Sequence, residues 1–124
     1  MKNFKELIIW KNGIELVKGI YKISKKLPVE EKYGLVSQLT RAAVSIPANI
    51  AEGSSRNSDK DYARFIQIAL GSAFETQTYL VLIKEMNWIK IEELENIETL
   101  LEEEIKMLHS FINKLNSYQS KANS

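Results

Sequence analysis

The stretch RAAVSIPANIAEG, residues 41–53, places a proline in the middle of a helical pattern. Its branched apolar side chains Ile46 and Ile50 lie four residues apart, the spacing of one helix face. Pro47 removes one backbone hydrogen bond and displaces the carbonyl of Ala43, which bends a helix at a cost of about 3 kcal/mol. We therefore predict a helix that is kinked at Pro47, and not a catalytic loop.

The polar side chains of this second helix collect on one side of it. At about 100° per residue they form a single stripe roughly 80° wide, and apolar side chains cover most of the remaining surface. The stripe consists of Gln38, Arg41, Ser45, Asn49, Glu52 and Arg56. A surface helix normally has one apolar stripe, so the inverse pattern predicts a helix buried on two sides. Because three antiparallel neighbours leave one flank uncovered, we expect a second copy of the chain to cover it, as in a homo-oligomer.

The rest of the chain is typical of long helices with short connections. Only five glycines and two prolines interrupt the sequence, and no run alternates as a strand does. Helices are predicted over residues 4–26, 30–52, 59–86 and 91–115, and the polar tail 116–124 is expected to fray. Ser58, followed by Asp61, is the predicted N-cap of the third helix. This arrangement predicts an all-α, antiparallel up-down-up-down four-helix bundle in a single domain, residues 1–124.

The composition is that of one ordinary globular domain, with 44% hydrophobic and 27% charged residues among 124. No apolar run approaches the roughly 18 residues of a membrane helix, and residues 1–27 show no secretory pattern. Because the chain has no cysteine, a disulfide, a thiol nucleophile and a thiolate metal site are excluded. We expect a protein of the reducing cytoplasm with no membrane partner.

Sequence motifs for catalysis are weak. His109 is the only histidine and lies beside the apolar seam of the fourth helix, where we interpret it as a partly exposed helix residue. A di-iron bundle needs a glutamate three residues before such a histidine, and this chain has Lys106 there. Phosphate-binding loops and nucleophile elbows are also missing. The run Glu102–Glu104 is interpreted as a solvated face, so no catalytic residue, metal site or cofactor is predicted.

The net charge of +1 conceals an uneven distribution. Residues 1–27 contain seven lysines against two glutamates, whereas residues 91–124 contain seven glutamates against three lysines. The candidate cations for binding nucleic acid are Lys18, Lys22, Lys25, Lys26, Arg56, Lys60 and Arg64. One interpretation is that they are solvated helix surface. The other is that an oligomer repeats them into a basic belt with salt-dependent affinity for phosphates.

Two segments carry a resemblance to a known family. EKYGLVSQLTRAAVSIPANIAEG (31–53) and ARFIQIALGSAFE (63–75) closely resemble the four-helix-bundle proteins of the 23S rRNA intervening-sequence family, often encoded within bacterial rRNA genes. The resemblance implies a ring-like homopentamer. It also implies a distant kinship to the accessory proteins of diversity-generating retroelements, which bind reverse transcriptase and RNA. Residues of this chain within the matching segments are Arg41, Ser45, Pro47, Asn49, Glu52, Gly53 and Glu75.

Two interpretations of these polar motif residues stay open. They pair across helices or subunits, or they line a polar pore or ligand surface of the ring. For Arg41 we predict a structural role with Glu75 as its acidic partner, within the subunit or across an interface. Glu52, about 16 Å along the same helix, is too far away. The expected function is a non-catalytic oligomeric interaction scaffold, and the alternative is an RNA-binding accessory protein.

Overall fold

The computed structural model describes residues 3–123 and the side chains of residues 3–118. Within that part of the chain there are four α-helices: α1 (Ile8–Ser24), α2 (Leu35–Ser54), α3 (Asp59–Glu85) and α4 (Ile91–Asn123). Single turns of 3-10 helix at Phe4–Glu6 and Val29–Glu31 precede α1 and α2. Residues 3–123 contain no strand, and no helix there has the length and apolar composition to cross a membrane. The predicted all-α fold is confirmed.

Each helix packs against two others around the bundle. The α2 helix lies between α1 and α3, α4 packs on α3, and the contact of α1 with α4 closes the arrangement. Diagonal pairs of helices make no close backbone contacts among the described residues. Consecutive helices are therefore neighbours, which confirms the predicted four-helix bundle with up-down-up-down connections.

All four helices contribute to one hydrophobic core. Its largest fully buried side chains are Leu16 and Ile20 on α1, Leu39, Ile46 and Ile50 on α2, Ile66, Leu70, Leu80 and Ile83 on α3, and Leu94, Leu101 and Leu108 on α4. Complete burial of one such side chain is worth about 1.5–3 kcal/mol. The core is thus closed within a single chain.

The first predicted helix is divided in two by Leu7. This residue has an extended backbone (φ −70°, ψ 132°) and separates the 3-10 turn from α1. Asn3 stabilises the separate turn, since its Oδ1 accepts a hydrogen bond from the backbone N–H of Lys5 at 3.0 Å. The predicted continuous helix over residues 4–26 is therefore wrong at its beginning.

The second helix begins later than predicted. Gly34 has a backbone conformation (φ −104°, ψ −107°) that no helix continues, so α2 begins at Leu35 and not near Glu30. The Glu31 carboxylate accepts a hydrogen bond from the backbone N–H of Leu35 at 3.3 Å and serves as a cap from outside the helix. Further along, α2 continues through Pro47, and the bend expected there stays a prediction.

The sequence predicted the beginning of α3 correctly and the end of α4 too early. Ser58 caps α3 as predicted, because its Oγ accepts a hydrogen bond from the N–H of Asp61 at 3.1 Å. The predicted end of the last helix at residue 115 is too early, since α4 continues to Asn123; the expected fraying of 116–124 stays a prediction, and Ser124 lies outside the described residues. Leu115 is still buried in the core, and neither glycine nor proline follows it to stop the helix.

Candidate interaction surfaces

The centre of the polar stripe on α2 faces α3. Ser72 of α3 donates its hydroxyl to Ser45 Oγ at 2.8 Å. Asn49 donates its amide to both the carbonyl oxygen and the Oγ of Ser45, each at 2.8 Å. These three side chains satisfy one another at the contact between the two helices, which is the arrangement that buried polar groups require.

Arg41 and Glu75 lie on neighbouring helices without pairing. Glu75 Oε2 is 2.9 Å from the Tyr79 hydroxyl, which is also 2.8 Å from Oε1 of Gln38 on α2. Burial, and then the Glu75 carboxylate, raise the pKa of Tyr79. The Arg41 side chain is exposed, and none of the five ion pairs among the described residues includes it. The predicted pair within one subunit is therefore not formed, and the pair across an interface stays a prediction.

The end of the motif anchors the turn between α2 and α3. Glu52 forms an ion pair with Arg56, whose guanidinium lies 4.4 Å from the Phe65 ring centroid. Gly53 is buried, and a Cβ added to it would come within 2.9 Å of both Tyr62 and Phe65. Only glycine allows α2 and α3 to approach this closely, so this part of the motif is structural.

The structure does not gather the candidate nucleic-acid cations into one patch. Four of the seven pair with carboxylates: Lys18 with Glu15, Lys26 with Glu93, Arg56 with Glu52 and Arg64 with Asp61. Lys22, Lys25 and Lys26 lie in or just after the last turn of α1, at one end of the bundle, and Arg56, Lys60 and Arg64 lie at the other, about 30 Å away by the length of α2. A continuous basic belt is thus poorly supported within one subunit.

Glu104 is a buried carboxyl that the sequence interpretation missed. Its side chain is 0% exposed, so the prediction that Glu102–Glu104 forms a solvated face is wrong for this residue. Asn12 donates its amide to Glu104 Oε1 at 3.1 Å and to the carbonyl oxygen of Leu100 at 3.3 Å. Glu104 Oε2 has no hydrogen-bond partner among the described residues. Burial raises the pKa of Glu104 to about 7, against the opposing effect of the Asn12 hydrogen bond.

Three helices meet beside this carboxyl. A Cβ on Gly13 of α1 would lie 3.4 Å from Glu104 Oε2 and 3.3 Å from Cβ of Pro47 on α2. Pro47 is buried at this contact, so its ring packs inside the bundle and not on the outer flank of α2. The proline of the motif and the missed carboxyl are therefore parts of one packed region.

Apolar side chains also line the outer side of α2 and α3. On α3, Ile68 and Leu82 are both exposed and lie fourteen residues apart, in line with Glu75 between them. Val44 and Ala48 on α2 are also exposed. We call Val44, Ala48, Ile68, Leu82 and the exposed Met86 the outer apolar face.

A second exposed apolar group lies where α3 adjoins α4. It consists of Phe74 and Val81, with the ring of His109 6.2 Å from that of Phe74. His109 is exposed, and among the described residues no group of three or more acidic or histidine side chains is arranged to hold a metal ion. The described surface features that remain unexplained are therefore mainly exposed apolar side chains.

Comparison with known proteins shows similarity to one family model and to solved structures. A family model described as "23S rRNA-intervening sequence protein" matches residues 5–110. A crystal structure from Bacteroides thetaiotaomicron, described as a protein with unknown function from the S23 ribosomal protein family, is 31% identical in sequence. The similarity covers 85% of this chain and 98% of that one, with a TM-score of 0.79. Among curated proteins, none matches the sequence.

Proposed function

Since this chain belongs to the 23S rRNA-intervening sequence protein family, we propose that it acts as a non-catalytic, homo-oligomeric interaction scaffold. The observation that carries this proposal is the outer apolar face, which remains uncovered although the core of the chain is closed. A row of exposed apolar side chains, here interrupted by Glu75, is the kind of surface that marks a site of association. A second copy of the chain is the occupant that the proposal assigns to it.

A ring places a particular demand on the surfaces of each subunit. Neighbours in a ring of five, the number implied by the family resemblance, meet through two different patches and not through one self-complementary patch. The α3 helix offers two such patches, since Ile68 and Leu82 lie toward α2 whereas Phe74 and Val81 lie toward α4. Both patches are apolar, which suits a contact that keeps water out of the interface.

The location of the most perturbed titratable group supports a role without catalysis. Glu104 has a pKa close to neutrality, as many catalytic carboxyls do, but its side chain is completely enclosed by the core. A substrate has no contact with it in this conformation. We therefore interpret Glu104 as a structural group.

A matched pair of variants tests the scaffold. Leu82→Glu places a charge in the outer apolar face and should reduce the oligomer to smaller species, measured by sedimentation velocity. Ile91→Glu introduces the same charge at another exposed apolar position, at the beginning of α4, and should leave the oligomer intact. An oligomer that tolerates Leu82→Glu as well as Ile91→Glu would show that this face is not the interface.

A second candidate function, RNA binding, is favoured by one observation. Lys25 and Lys32 flank two exposed tyrosines, Tyr21 and Tyr33, at the connection between α1 and α2. Cations beside aromatic rings are the usual composition of a surface that binds single-stranded nucleic acid. Binding of a labelled oligonucleotide to the purified protein over a range of salt concentrations tests this candidate.

A further inference from the structure

An open groove lies between the end of α1 and the beginning of α2. Its volume is about 610 Å³, and Leu27 and Val36 form part of its apolar lining. Tyr33 is 88% exposed and Val29 is 78% exposed, the two highest values among the large hydrophobic side chains described. The side chain of Tyr21, half exposed, faces the groove from α1. Tyr21 and Tyr33 therefore present two exposed aromatic rings at the surface of the folded domain.

The side chains that line this groove carry positive charge only. Lys25 and Lys32 line it, and neither belongs to any of the five ion pairs among the described residues. No carboxylate is among the described side chains that line the groove. Glu30 and Glu31 lie in the adjoining 3-10 turn, outside this lining, and Glu31 Oε1 accepts the hydrogen bond from the N–H of Leu35. These lysines therefore differ from Lys18 and Lys26, which have carboxylate partners.

The rings and the cations are close enough to act on one ligand. Lys32 Nζ lies 5.5 Å from the centroid of the Tyr33 ring. A nucleotide has the matching pair of features, a flat base for the ring and a phosphate for the ammonium group. The faces of bases are free for stacking in a single strand, whereas a duplex conceals them.

We propose that this groove binds single-stranded nucleic acid, with bases stacked on Tyr21 and Tyr33 and phosphates paired with Lys25 and Lys32. The proposal rests on the second candidate function and specifies where the strand lies. It moves the binding site away from the carboxylate-paired cations Lys26, Arg56 and Arg64. Because the described lining of the groove holds no Arg, Asn, Gln, Asp or Glu, the residue types with the best-defined pairings to base edges, binding depends on stacking and charge and is tolerant of sequence.

Fluorescence anisotropy with labelled ten-residue strands of RNA and DNA tests the site, and a duplex of the same sequence serves as a further probe. The intact oligomeric protein should bind the single strands more tightly than the duplex. If each groove neutralises two phosphates, the logarithm of the binding constant should fall with that of the salt concentration with a slope of about −1.4. A preference for RNA over DNA would show that the 2′-hydroxyl contributes.

Variants separate the groove from the rest of the surface. Tyr33→Ala should weaken binding by about tenfold, the effect of one lost stacked base, whereas Tyr33→Phe keeps the ring and should bind as the native protein does. Lys25→Gln with Lys32→Gln should weaken binding and flatten the salt dependence. Tyr118→Ala and Lys114→Gln, exposed positions at the other end of the bundle, should have no effect.

The possible failures are distinguishable. Native protein that binds no strand would overturn the second candidate function together with the groove. Native binding that the groove variants leave unchanged would overturn only the assignment to this groove. Loss of the oligomer in Tyr33→Ala, measured by sedimentation velocity, would show that the groove is covered by another subunit and would also overturn the proposal.

Discussion

At the scale of single residues, Glu104 makes the stability of the bundle depend on pH. Burial raises its pKa from 4.5 to about 7, so the folded chain holds a proton that the unfolded chain has released. The stabilisation from this proton is complete below about pH 4.5 and is lost as the pH rises through about 7. The free energy of unfolding should therefore fall by about 3 kcal/mol over this range, measured by urea denaturation at a series of pH values.

Glu104→Gln is the variant that isolates this effect. The amide still accepts the hydrogen bond from Asn12 but carries no titratable proton, so the slope over that range should disappear. Glu103→Gln, at the exposed neighbouring position, should keep the native slope. If the free energy of unfolding of the native protein were the same at pH 5 and pH 8, the raised pKa of the buried Glu104 would be contradicted.

The burial of Glu104 was partly predictable from the sequence. Leu94, Ile97, Leu101 and Leu108 follow the alternating spacing of three and four residues, and the same spacing places residue 104 on this seam. The neighbouring Glu102 and Glu103 concealed the signal, because a run of three glutamates is typical of solvated surface. Asn12, the partner that makes burial tolerable, is 92 residues away, and only the folded chain brings it near.

At the scale of helices, the contact of α2 with α3 depends on Gly53. In Gly53→Ala the new methyl group would meet Phe65 Cβ at 2.9 Å, so the helices must separate. We expect a loss of about 1–3 kcal/mol in the free energy of unfolding, as for other overpacked sites. In the control Gly71→Ala the methyl group meets no atom of its own chain within 4 Å. The higher helix propensity of alanine should raise the free energy of unfolding of this variant by about 1 kcal/mol. If urea denaturation showed the same change in the free energy of unfolding for Gly53→Ala and Gly71→Ala, the close approach of α2 and α3 at Gly53 would be contradicted.

The helix boundaries show which signals are local. Ser58 was identifiable as a cap because its hydrogen bond to the N–H of Asp61 spans only three residues. The interruptions at Leu7 and Gly34 were missed, since no proline or cluster of turn residues marks either position.

At the scale of the whole molecule, the surface partners were the least predictable part. The sequence identified the cations, and the Arg56–Glu52 pair has the local i,i+4 spacing. The partner of Lys26, by contrast, is Glu93, 67 residues away, and depends on how the ends of the helices are arranged. Arg41 and Glu75 lie on adjoining helices, as expected, yet Glu75 contacts Tyr79 in place of Arg41. Long side chains on a surface have many partners of similar energy, so the pattern of residue types does not select one.

The unpaired Arg41 yields a prediction about the assembly. If Arg41 of one subunit pairs with Glu75 of the next in a buried contact, Arg41→Ala should cost about 3–5 kcal/mol, against under about 1 kcal/mol for an exposed pair. The Arg41→Ala, Glu75→Ala double-mutant cycle should then show coupling in thermal melting of the oligomer. Additive effects near zero, with the oligomer intact, would favour a polar ligand surface on the ring.

The mass of the native protein in solution tests the central claim most directly. Multi-angle light scattering at micromolar concentration should give several times the 14.2 kDa of one chain, and a ring of five would give about 71 kDa, five times that value. The mass should not rise further as the protein is concentrated, because a closed ring has no free surface for further growth. A mass of 14.2 kDa at these concentrations would contradict the scaffold and leave the outer apolar face without an occupant.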